Sequence, residues 1–68
     1  MKPISGKRMC QILKKRGWRL ARINGAHYIF RHLATSRRTT VPVHGNTELK
    51  PKTQRNIMRD AGLSDADL

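Results

Sequence analysis

A chain of 68 residues with fifteen Lys and Arg against four acids, a net charge of +11, leaves room for one small domain (residues 1–68) and none for a separate substrate domain. Three of the acids, Asp60, Asp65 and Asp67, fall in the last nine residues, so the rest is a cationic body suited to a polyanion, nucleic acid first; an acidic protein or a merely solvated surface are the alternatives. A lone Cys10, no apolar run near the roughly 20 residues of a membrane span and no signal-peptide stretch in "MKPISGKRMCQ" exclude an intrachain disulfide and lead us to expect a cytoplasmic protein with no membrane partner.

A first helix is expected over about residues 6 to 16. Ser5 is a good N-cap, Ile4 and Met9 stand at the staple positions, and Met9, Ile12 and Leu13 form an apolar stripe with Cys10 at its margin. Lys14, Lys15 and Arg16 suit the negative end of the helix dipole, and Gly17 ends the helix with Trp18 folding back onto Leu13. Two strand-like runs follow, "WRLARI" and "AHYIFRH", joined by Asn24-Gly25, a dipeptide suited to a type I′ turn. After the looser "LATS", the run "RRTTVPV" makes a third strand, and Pro42 places it at an edge or ends it there. The strands read as an antiparallel meander.

The segment "HGNTELKPK" is a loop. Pro51 opens a second helix whose weaker stripe is Thr53, Ile57, Met58 and Ala61; Gly62 stops it, with Leu63 placed to touch Met58. A further turn begins at Ser64, with Asp67 at the capping-box position. The fold class is therefore α+β, in the order α-β-β-β-α, with a three-stranded antiparallel sheet and two helices on one face.

Strand register is less determined. A strict two-residue turn pairs Arg22 with His27 and Leu20 with Ile29, and puts Ala26, Tyr28 and Phe30 on the other face with Ala21 and Ile23. The neighbours Arg22 and Arg31 favour His27 outward and Tyr28 and Phe30 inward, whereas Trp18 and Leu20 argue the opposite. Alternation alone leaves both arrangements open.

The chemistry the residues offer is narrow. His27, His32, His44 and Cys10 lack the spacing of a metal site, "GKRMC" is no phosphate loop, and acids gathered at one end make no Ser-His-Asp set; no metal and no cofactor is expected. Histidine and fixed cations remain. RNA carries its own nucleophile, the 2′-hydroxyl, so a histidine that moves protons among arginines suffices for metal-free cleavage. His27 follows a tight turn, and Arg22, Arg31, Arg37 and Arg38 come from nearby strands. A lone strand histidine is ordinarily an exposed or hydrogen-bonded residue, and His32 and His44 stand on the same footing. Spacing does not choose among the three.

Three separated blocks carry a resemblance: "SGKRMCQILKKRGWRLARINGAHYIFRH", "TTVPVHGNTELK" and a closing "IMRDAGLS". Together they resemble the HicA toxins of HicA-HicB toxin-antitoxin pairs over nearly the whole length. The resemblance implies a double-stranded-RNA-binding-domain-like fold and a metal-independent mRNA endoribonuclease neutralised by a HicB-like antitoxin. The family's essential histidine lies in a Gly-Ser-His motif that matches Gly25, Ala26 and His27, so alanine stands where the serine is usual and Tyr28 where a second histidine often follows. The implied catalytic residue is His27. Lys14, Lys15, Arg22, Gly25, Arg31, Arg37, Arg38 and His44 are the candidate RNA-binding residues. A non-catalytic RNA-binding module of the same fold is the second reading, and a ligand for an acidic antitoxin the third.

Overall fold

The computed structural model describes residues 1–68, in the order α1 (Gly6–Lys15), β1 (Trp18–Asn24), β2 (His27–His32), β3 (Arg38–Pro42), α2 (Pro51–Ala61) and a short 3-10 turn (Asp65–Asp67). The helix–sheet–helix order expected from the sequence is the one observed. Ser5 caps α1, its hydroxyl accepting from the Arg8 N–H at 3.0 Å. Ile4 and Met9 are both buried, as a staple requires. Gly62 adopts a left-handed φ of 67°, and the Gly62 and Leu63 amides close a Schellman stop on the Arg59 and Met58 carbonyls. No helix is long and apolar enough to cross a membrane.

The sheet is an antiparallel meander in the order β1-β2-β3. Its hairpin differs from expectation by one residue. Asn24 pairs with His27, which makes Gly25-Ala26 the two-residue turn; Gly25 has a φ of 60°, and Ala26 is not among the positive-φ residues. That is the type II′ pattern, with glycine at the first central position, in place of a type I′ turn over Asn24-Gly25. Arg22 then pairs with Ile29 rather than His27, and Leu20 with Phe30 rather than Ile29.

A β-bulge lies between Leu20 and Arg22, where Ala21 is the extra residue. An added residue reverses which face the rest of a strand presents. Trp18 and Leu20 therefore share the inner face with Tyr28, Phe30, Thr39 and Val41, while His27, Ile29 and Arg31 face outward with Arg19, Arg22, Arg38 and Thr40. The bulge removes the conflict that alternation leaves open.

Both helices cover the inner face. Met9, Cys10, Ile12 and Leu13 from α1 and Ile57 and Met58 from α2 join Trp18, Phe30 and Val41 in one buried cluster. Fully burying a side chain such as Phe30 stabilises by about 1.5–3 kcal/mol. Two core residues lie outside the expected stripes: Leu49, from the loop before α2, and Gln54, a fully buried polar residue on α2. The connection is tied to the N-terminal segment by a Ser5–Glu48 bridge and by the Leu49 N–H donating to the Ile4 carbonyl at 2.9 Å.

Candidate nucleic-acid interface

The outer face of the sheet is built in three rows. Asn24, His27 and Pro42 form the row at the hairpin end; Arg22, Ile29 and Thr40 form the middle row; Arg19, Arg31 and Arg38 form the third. His27 is exposed, and no hydrogen bond ties its ring to the protein. It stands where the II′ turn enters β2, on backbone held by the ladder to both neighbouring strands and by the Val43 N–H donating to the Ala26 carbonyl at 2.8 Å. A free imidazole on a rigid strand end can take or give a proton at a ligand laid over the face.

The arginines of this face have no carboxylate partner. The two ion pairs lie elsewhere, Arg16–Asp67 at 3.1 Å and Arg59–Asp60 at 3.8 Å. The face is thus a uniformly cationic plane, with a field that acts on anions from outside the molecule.

Of the residues singled out by sequence, His27, Arg22, Arg31 and Arg38 share this face, with Gly25 in the turn at its end. Lys14 is on another surface, beside Lys7, Gln11 and the inward-facing Tyr28, and Lys15 is exposed at the end of α1. Arg37 lies before β3, in a depression with Trp18, His32 and Asp60. His44 follows β3 and lines a groove with Pro42, Glu48, Lys50 and Thr53.

His32 proves to be structural. Its Nδ1 accepts from the Ala34 N–H at 3.1 Å and the Thr35 N–H at 3.3 Å, which places the proton of the neutral ring on Nε2. The ring stands edge-on to Trp18, with centroids 5.2 Å apart. It shapes the β2–β3 connection and is already committed to the fold. Arg19 and Thr40 are outer-face residues that sequence reasoning passed over. Arg19 joins the Arg31 row only because of the bulge at Ala21, for which the sequence carries no turn or glycine signal.

A family model described as "HicA toxin of bacterial toxin-antitoxin" matches residues 6–63, which is nearly the whole chain. No curated protein matches it. The matched segment spans both helices and all three strands, and therefore every row of the outer face.

Proposed function

Starting from the chain's membership of the HicA toxin family of bacterial toxin-antitoxin systems, we propose that it is a metal-independent endoribonuclease acting on mRNA, with His27 as the catalytic residue. The observation that carries this reading is the placement of a free His27 at the end of a sheet face whose other charged residues are all arginines. The 2′-oxygen of the RNA forms a bond to phosphorus as the bond from phosphorus to the 5′-oxygen breaks. His27 moves the proton, as base towards the 2′-hydroxyl or as acid towards the departing oxygen, with water completing the exchange. The products carry a 2′,3′-cyclic phosphate and a 5′-hydroxyl. Arg22, Arg31 and Arg38 hold the RNA backbone along the same face. Lys14, Lys15 and Arg37 lie on other surfaces and act by attracting RNA over distance, and His44, in the groove after β3, contacts RNA by hydrogen bonding. A toxin of this family has a cognate antitoxin; we take it to be HicB-like and to present carboxylates to the cationic surface.

The test is cleavage of end-labelled RNA by the purified chain in EDTA, with the product ends identified. His27→Ala is expected to lower the rate by about 10²–10⁴-fold, the usual worth of a general acid or base. It should leave the urea midpoint in place, because the ring makes no hydrogen bond within the fold. Ala26→Ser, which restores the family's usual motif on a turn whose backbone bonds do not involve that side chain, is expected to raise the rate. Full cleavage by His27→Ala would refute the assignment, and binding without cleavage by the parent chain would favour a non-catalytic RNA-binding module.

A further inference from the structure

Arg19, Arg31 and Arg38 stand directly opposite one another across all three strands, with Arg22 in the adjoining row. Like charges opposite each other on a sheet repel, and neither ion pair of the molecule reaches this row. The row therefore weakens the free protein, and a bound anion would offset it. Between the two rows lies a depression of about 360 Å³, lined by Ala21, Arg22, Ile29, Arg31, Arg38 and Thr40. Its polar groups are three guanidinium forks and one hydroxyl, the donor set that matches a phosphate. The aromatic strand residues Trp18, Tyr28 and Phe30 all face the helices, so no Trp, Tyr or Phe ring lines this depression for a nucleobase to stack on. The complementary ligand is a backbone phosphate, whatever base it carries.

We propose that this depression is a phosphate subsite for single-stranded RNA, holding one backbone phosphate within roughly two nucleotides of the bond broken at His27. The proposal rests on the ribonuclease reading above. Arg31 is four residues beyond His27 on the same strand and face, about 13 Å at the usual strand rise, and the depression lies between that row and the middle one. A strand laid along β2 meets His27 at one end and the arginine forks at the other. Single-stranded RNA is the substrate because in-line attack by the 2′-hydroxyl needs a backbone free to rotate, and an A-form duplex holds it fixed. Arg22, Arg31 and Arg38 are then positioning residues. They seat one phosphate and so decide which bond reaches His27.

Two assays on the full chain separate this from the reading it rests on. In the first, a DNA octamer with a single ribonucleotide fixes the bond that can be cut, and a neutral methylphosphonate replaces each other phosphate in turn. One position is expected to lose about tenfold or more in kcat/KM, and that loss should vanish in Arg31→Gln and Arg38→Gln. In the second, a fluorescein-labelled octamer with 2′-fluorines, which cannot be cut, reports binding by anisotropy. Each variant should bind it more weakly, with the salt slope reduced by about one. The same variants should melt at or above the parent temperature, by up to about 8 °C for relief of the like-charge row, which a structural role would not produce. Equal small losses at every methylphosphonate position, or variants that melt lower, would overturn the subsite. So would unchanged octamer binding with loss of binding to poly-L-glutamate, which would mark the face as a surface for an acidic protein. The binding and melting signatures without any cleavage would support the subsite and overturn the role of His27.

Discussion

Gln54 is fully buried on α2, where its Oε1 accepts from the Ile4 N–H at 3.1 Å and its Nε2 donates to the Lys2 carbonyl at 2.6 Å. Through these bonds it fastens the segment before α1 to the core, next to the Ser5 cap and the Leu49 amide that bonds Ile4. Gln54→Leu keeps the approximate volume and removes both bonds. The buried Ile4 amide then lacks a partner, at about 1–3 kcal/mol, while the carbonyl of the exposed Lys2 recovers part of its loss from water. A net cost of about 2–3 kcal/mol is expected against a total of roughly 3–10 kcal/mol for a chain this size. With an m-value near 1 kcal/mol/M, the urea midpoint should fall by about 2–3 M at an unchanged slope. Gln54→Glu refines the test, since a protonated carboxyl can both accept and donate as the amide does, and a carboxylate cannot donate. Folding would favour the protonated form, so the folded pKa would lie above the unfolded one. The variant's stability is then fully present below the unfolded pKa and is lost as pH rises through the folded one. A Gln54→Leu midpoint equal to the parent's, or a Gln54→Glu deficit that does not grow with pH, would refute the clamp.

Two further outcomes follow from the packing. Gly6→Ala adds a better helix former, yet the new Cβ would collide with the Pro42 carbonyl oxygen, which is backbone at the end of β3 and cannot swing aside. The clash should outweigh the propensity gain of about 1 kcal/mol, and a urea midpoint above the parent's would contradict the close docking of α1 on β3. Burial pushes the Cys10 thiol pKa up, with the Lys14 charge only partly opposing it. Iodoacetamide should therefore modify Cys10 about tenfold or more slowly than free cysteine at pH 8, and at the free rate in urea. The same raised pKa means that its contribution to stability is present below the unfolded thiol's range and is lost as pH climbs through the folded one.

Local signals carried the element order. Ser5, Pro51 and Gly62 mark helix ends because capping and left-handed backbone are decided within a turn, so their residues alone announce them. The stripes of α1 and α2 were equally readable, with Gln54 the exception, since nothing local says that a glutamine will find two backbone partners fifty residues away. His27 is singled out by a family motif rather than by chemistry, and the register puts it on the exposed face of the sheet. Spacing could not separate it from His32, whose commitment to the Ala34 and Thr35 amides is a fact of three-dimensional loop closure.

What the amino-acid order settled unaided was a cationic α-β-β-β-α chain with a histidine beside a tight turn. Which face that histidine occupies was decided by tertiary packing. Trp18 and Leu20 must reach the same core as Phe30, and Arg22 and His27 must both stay in water; an unbroken β1 cannot satisfy all of these at once. The bulge at Ala21 satisfies them, because one added residue reverses the alternation at the cost of a locally broken ladder. Burial of Trp18 and partial burial of Leu20 outweigh that cost, and the same slip aligns Arg19 with Arg31 and Arg38. The arginine row is thus a consequence of core packing, which no count of charges along the chain contains.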